Sequence, residues 1–283
     1  MKKRLILLTL MILLILIFFN STYIVKNILE YTTLFINNLF VYTFIMYVIS
    51  SMLIDYDLLE VLKPRSYITI MSILSGFPSG SKYICDLLKK EYISEEEANY
   101  LITYNHYPNP LFVIGSVSTI LTKGIALKLL LSIYLGSFII SRLFRVKDGN
   151  KKKSSNTTIS FTKSLSSAIN NALKTIVLIY GTSIFSVIIA LIITHIFSLN
   201  SLLYCITNGI FDLTKGIFST VLIDDKRIRA ILILLFINIS SISIHMQVKT
   251  ILDNSTIKYS NFLKGRILST IVSVIVFLML YSL

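Results

Sequence analysis

The chain has 283 residues, 54% of them hydrophobic and only 14% charged, with a mean hydropathy of +0.77. A soluble domain cannot solvate so apolar a surface, so a water-facing globular fold is excluded and the bilayer is the solvent for most of the chain. The formal charge of +13 sits beside apolar runs, where Lys and Arg set membrane orientation, and no soluble domain is left to bind nucleic acid.

Apolar segments near the ~20 residues that cross the hydrocarbon fall at 5–24, 34–54, 98–121, 125–144, 169–196, 228–252 and 262–283. The first follows Lys2, Lys3 and Arg4, as a signal peptide would. No small-x-small cleavage site follows it, and after a short polar loop the next span begins, so it is read as a retained span. Segments 66–88 and 202–223 are apolar at their ends but interrupted by Gly, Pro, Asp and Lys, which suits re-entrant helical hairpins better than ordinary spans.

The first interruption reads Ser75, Gly76, Phe77, Pro78, Ser79, Gly80, Ser81, Lys82. Two glycines and a proline break a helix and free backbone amides and carbonyls, which in lipid must face protein or a wet cavity. A cation at membrane depth costs roughly 3 kcal/mol on insertion scales, so Lys82 is expected to have a role. Ser94, Glu95, Glu96 and Glu97 form the pattern of a capping box and start the next helix. Asn105, His106, Tyr107, Pro108, Asn109 and Pro110 then unwind that helix and leave amides beside open backbone.

The stretch from Arg145 to Lys163 is basic and rich in Ser, Asn and Thr, the composition of a flexible linker. In the second half the interruption reads Asn208, Gly209, Ile210, Phe211, Asp212, Leu213, Thr214, Lys215, Gly216. Two lysines, Lys82 and Lys215, near hairpin tips would suit a carboxylate-bearing solute; Asp212 either pairs with Lys215 or takes a proton or cation in a coupled cycle. Further on, Asn238, Ser241, Ser243 and His245 supply polar groups to an otherwise apolar helix.

The two halves match at a constant offset of 133, the distance from Gly76 to Gly209. Ile36, Asn37 and Asn38 fall on Ile169, Asn170 and Asn171; Tyr47 and Ser50 fall on Tyr180 and Ser183; Lys82 and Asn105 fall on Lys215 and Asn238. With the amino terminus in the cytoplasm each half crosses an odd number of times, which inverts the second half. Arg145, Lys147, Lys151, Lys152, Lys153 and Lys163 then all lie on the cytoplasmic side, as the positive-inside rule requires. Interrupted segments at matching places in two inverted halves are the pattern of a secondary transporter with a site between its repeats.

No Ser/His/Asp order, HExxH, Walker loop or paired-carboxylate motif is present, so no catalytic residue and no enzyme activity are expected. Cys85 and Cys205 have no metal-ligand spacing, and neither a metal nor a cofactor is expected.

Several of these stretches resemble the YlbJ-type sporulation integral membrane proteins, which carry a nucleoside-recognition (Gate) domain. The resemblance is carried by GFPSGSK (Gly76 to Lys82), ISEEEANYL (Ile93 to Leu101) and NPLFVIGSV (Asn109 to Val117), then by GIFDLTKG (Gly209 to Gly216) and SIHMQV (Ser243 to Val248). It implies a role in endospore formation, in which a protein of the outer forespore membrane helps to move dipicolinate, a small aromatic dicarboxylate, from the mother cell towards the spore core. The chain departs from the pattern at Asn238, Ile239, Ser240 and Ser241, where the family carries a glycine-rich break, and at Ser81.

The expected fold is therefore an all-α integral membrane bundle of two inverted repeats, with about seven transmembrane helices plus two re-entrant helical hairpins. Residues 1–33 form an N-terminal span and loop, 34–150 the first repeat, 151–166 a basic cytoplasmic linker and 167–283 the second repeat. The expected solute-binding set is Gly76, Pro78, Ser79, Gly80, Ser81, Lys82, Asn105, Asn109, Asp212, Thr214, Lys215, Asn238 and His245. Expected partners are a small dipicolinate-like anion and the bilayer, with a homo-oligomer left open. A nucleoside or nucleobase carrier is the alternative within transport, and a spore-envelope scaffold the alternative outside it.

Overall fold

The computed structural model describes residues 2–56, 58–144 and 159–282, and the regular structure among them is entirely helical. Of the linker expected at 151–166, residues 151–158 lie outside the described residues, and from Phe161 onwards the chain is already helical, so the linker ends earlier than expected. Helix α1 (Lys2–Phe19) is followed by α2 (Ser21–Phe35), a π turn at Ile36–Phe40 and α3 (Val41–Asp55), which together make one helical stretch of 35 residues over Ser21–Asp55. The polar loop expected between the first two spans is therefore helical. Its polar side chains bond backwards to the helix carbonyls, Asn27 to Tyr23 O at 3.0 Å and Thr32 to Ile28 O at 2.7 Å, so polarity there does not break the helix.

After the single turn α4 (Leu58–Val61) comes a helical hairpin of α5 (Pro64–Ser75) and α6 (Ser79–Lys89). Helix α7 (Glu95–Tyr104) begins where Ser94 Oγ accepts from Glu97 N at 3.1 Å, while the Glu97 carboxylate pairs with Arg65 at 2.5 Å. The span expected at 98–121 is not one helix. Pro108 and Pro110 follow α7, the chain is non-helical over 105–109, and it resumes in a π turn (Phe112–Val117) and α8 (Ser118–Ile120) before α9 (Lys123–Leu143).

The second half opens with α10 (Phe161–Ile196) and continues with a hairpin of α11 (Ser201–Phe211) and α12 (Leu213–Ser219). Then come α13 (Lys226–Ile239), a break at Ser240 and Ser241, α14 (Ile242–Leu252) and α15 (Tyr259–Ser282). The order long helix, hairpin, broken helix, closing helix thus occurs twice, and corresponding members pack on each other: α3 on α10, and α9 on α15.

Among the described residues five stretches, against the seven expected, are long and apolar enough to cross a membrane: Ser21–Asp55, Lys123–Leu143, Phe161–Ile196, Lys226–Leu252 and Tyr259–Ser282. The polarity of the bundle is that of a protein dissolved in lipid. Leu135, Phe138, Ile267, Ile271 and Ile275 point outwards, whereas Ser132, Ser137, Ser269 and Ser273 are buried between α9 and α15. Small residues at a helix interface let backbones approach where no hydrophobic force drives packing.

The closest such approach is at Gly265 on α15, where an added Cβ would stand 1.9 Å from Thr103 O on α7. Gly265→Ala is therefore expected to destabilise the protein by about 1–3 kcal/mol, the scale of overpacking, read as a lower thermal midpoint in detergent. Gly181→Ala, which would meet nothing within 4 Å, should leave the midpoint unchanged.

Candidate functional site

Four irregular segments lie where the two halves meet. At the first hairpin tip, Gly76 takes a φ of 77°, a conformation open to glycine, and the Phe77–Pro78 peptide is cis. At the second tip Asp212 alone is extended, with φ −143° and ψ 131°, and caps α12 by accepting from Lys215 N at 3.0 Å. The other two segments are 105–109 and Ser240–Ser241. Ser240 takes a φ of 71°, so this chain makes with a serine the break for which its expected relatives use glycine.

These segments satisfy one another. Asn109 Nδ2 donates to Leu74 O at 3.1 Å, tying the first break to the first tip. The Asp212 carboxylate accepts at Oδ2 from Ser243 Oγ and from Tyr31 Oη, both at 3.1 Å, tying the second tip to the second break and to α2. His106 Nε2 and Ser240 Oγ are 2.8 Å apart and join the two breaks directly. Phe77 stacks on His106 with ring centroids 4.9 Å apart.

Between the tips is a narrow chamber of about 50 Å³. Its lining comes from both halves: Asn38, Phe40 and Thr43 from the first long helix, Ser75 to Phe77 from the first tip, Asn109 and Phe112 from the first break. Facing them are Ile179 and Ser183 of α10, Asp212 to Thr214 of the second tip, and Ser243 and Gln247 of α14. Gln247 Nε2 donates to Ser183 Oγ at 3.2 Å. On the first long helical stretch the chamber lies within its uncharged part, after Glu30 on α2 and before Asp55 at the end of α3. Among the described residues Asp212 is the one acidic or basic lining residue, and four phenylalanines, Phe35, Phe40, Phe77 and Phe112, offer ring surface.

The chain is similar to the sporulation integral membrane protein YlbJ of Bacillus subtilis (strain 168), 22% identical over 263 residues that cover 76% of this chain and 64% of that protein. The match therefore spans less than two thirds of the relative's length. No family model matches the chain, and no solved structure matches it. The family resemblance carried by the motifs is thus met by a distant, named relative, and the chain is an integral membrane protein homologous to it.

Of the residues expected at the site, Gly76, Asn109, Asp212 and Thr214 line the chamber. Pro78, Ser79, Gly80 and Ser81 build the tip behind it: Ser79 Oγ donates to Tyr47 Oη at 3.1 Å, Ser81 Oγ to Pro78 O at 2.6 Å, and a Cβ on Gly80 would lie 2.0 Å from Asn105 O. Asn105 and Asn238 are held inside the bundle. Asn105 accepts from Thr69, and Asn238 accepts from Ser269 and Ser273 while donating to Leu234 O. Both ring nitrogens of His245 are engaged, one with Tyr259 Oη at 2.7 Å and one with Ile239 O at 2.9 Å.

The two lysines do not meet in the chamber. Lys82, one turn beyond the first tip, pairs with Asp86 at 3.4 Å in a separate cavity. Lys215 has Asp212 and Glu30 as its acidic neighbours. Sequence reasoning named Ser243 among the polar groups of its helix but did not single out Asn38, Ser183 and Gln247 as chamber residues, although the first two stand in the repeat match and the last in SIHMQV. It also passed over Arg266, buried on α15, which donates to Thr103 O and His106 O at 3.4 Å where α7 unwinds.

Removing one of the two hydroxyl donors to Asp212 Oδ2 should weaken the chamber wall. Tyr31→Phe is expected to cost about 1 kcal/mol in unfolding experiments in detergent, the net scale of a buried hydrogen bond. Thr33→Ala, which loses only an exposed bond to Leu29 O, serves as the neutral comparison.

Proposed function

We propose that the protein is a permease that carries a small planar anion through the chamber between its halves, with dipicolinate, moved during endospore formation, as the solute. The observation that carries this reading is that both hairpin tips and the first break supply lining to one chamber, which Ser243 and Gln247 of α14 reach just after the second break. Irregular backbone at bilayer depth is tolerated where it is enclosed by protein or lines a cavity, and half-helices meeting at a repeat interface are how transporters build their sites. The hairpins are then re-entrant and the two halves inverted, with the amino terminus in the cytoplasm.

Two features support the choice of solute. Helix α14 begins beside the chamber with no side-chain cap, so the positive end of its backbone dipole is free to face an anion there. The four phenylalanines give an aromatic ring faces to pack against. A chamber of about 50 Å³ has room for one or two waters at ~30 Å³ each, against the ~300 Å³ or more of an ordinary ligand site. The carrier therefore has to widen to take solute, as alternating access requires. Asp212 would repel a dicarboxylate, so the solute enters with a proton or cation that neutralises it.

The alternative of a nucleoside or nucleobase carrier is favoured by one specific observation: amides and hydroxyls of Asn38, Thr43, Asn109, Ser183 and Gln247 line the chamber, and no lysine or arginine does. Uptake into proteoliposomes separates the two readings. Saturable dipicolinate uptake that uridine does not inhibit is expected; uptake blocked by uridine and indifferent to dipicolinate would favour the alternative, and a failure to move either would overturn the permease reading. Asp212→Asn keeps an acceptor for Lys215 N and should lower uptake at least about tenfold with unchanged helix content. For the topology, single cysteines placed at Asp253 and Thr122, in a background with Cys85 and Cys205 replaced by serine, should be labelled from the cytoplasm and from outside respectively.

A further inference from the structure

A second cavity of about 610 Å³ lies between α3, α6 and the start of α10. It is continuous with the chamber in direction though not in space. Down α3 the chamber ends at Thr43 and this cavity runs from Tyr47 to Asp55; down α10 the chamber ends at Ile176 and this cavity runs from Ala172 to Lys163. At 1.5 Å per residue the 36 residues of α10 extend about 54 Å, well beyond the ~30 Å hydrocarbon. Its charges, Lys163 and Lys174, are confined to the half that follows the linker. The cavity therefore opens at the linker-side surface.

Its ionisable walls are unbalanced. Lys90 pairs with Asp55 at 3.2 Å and Lys82 with Asp86 at 3.4 Å. That occupies both aspartates and leaves Lys89 and Lys163 without a carboxylate in ion-pair range among the described residues. Asp55 is further engaged by Ser164 Oγ at 2.9 Å. At the inner end Tyr47 Oη accepts from Ser79, so its own proton is available to a ligand. The groups left over are donors, and the class of ligand that suits them is a small anion.

We propose that this cavity is an anion-capture site distinct from the chamber: it gathers a carboxylate-bearing solute at the linker-side surface and presents it to the inner route. At the inner end of the cavity stand Tyr47 and Tyr83, whose rings are 6.0 Å apart edge to face, and on this proposal they close the route to the chamber. Tyr83 Oη is bound by Ser75 at 2.7 Å and by Ser50 at 3.1 Å. Solute moving inwards has to part these tyrosines, and because Ser75 and Ser79 flank the first tip, parting them disturbs the tip itself. The capture site stands on its own charges; only its place on the route rests on the permease reading.

The test is equilibrium binding of dipicolinate to the purified full-length protein in detergent, with uptake into proteoliposomes measured in parallel. Lys89→Gln with Lys163→Gln should weaken binding about tenfold, flatten its dependence on salt, and raise the half-saturating concentration for uptake more than it lowers the maximal rate. Uridine, being neutral, should not compete for binding. Asp212→Asn should keep this binding while losing uptake. Undiminished binding in the double lysine variant, or loss of all binding in Asp212→Asn, would overturn the capture site. Binding that behaves as expected in a protein that transports nothing would overturn the permease reading and leave the capture site standing.

Discussion

The constraint on which the rest of the structure depends is that backbone freed from a helix at membrane depth has to find its partners within the protein. Each break is met by another: Asn109 by Leu74 O, Asp212 by Ser243, His106 by Ser240. Arg266 answers the same need, since its guanidinium lies against the two carbonyls exposed where α7 ends. A buried cation without a carboxylate is costly, and here its position over the Phe262 ring and beside those carbonyls gives it the contacts that it has. Gly265 is what lets α15 come close enough to bring it there.

The same constraint separates two kinds of polarity. Inside the bundle, polar groups are mostly short and already bonded, as in the Asp212, Tyr31 and Ser243 cluster. Lys123, Lys163 and Lys226 stand at the ends of their helices, where their stems can reach water, while Lys174 and Lys215 lie further in. Lys82 shows how short the step is between the two settings: it follows the first tip by a single turn, yet its ammonium belongs to the surface cavity with Asp86.

Much of this was legible in the residues. Gly76 and Pro78 announce the first tip, and Pro108 and Pro110 announce the first break, because no helix accommodates them in its interior. Ser94 and Glu97 start α7 as their spacing requires. The break at Ser240 was not legible, since serine carries no intrinsic preference for positive φ and only the bond to His106, distant in sequence, explains it. The unbroken helix over Ser21–Asp55 was hidden by polar residues that satisfy themselves on the preceding turn. Pairing Lys82 with Lys215 failed to describe the chamber because an offset between halves aligns backbone and says nothing of which way a long side chain turns. Arg266 was within reach: an arginine in the last apolar run is unusual enough to be a signal by itself.

Phe77, His106 and Ser240 form one short chain of contacts across the midline, a stacked ring followed by a single hydrogen bond. The consequence is mechanical. Moving either irregular segment alone would part the stack or the hydrogen bond, so a displacement on one side is felt on the other through a single imidazole.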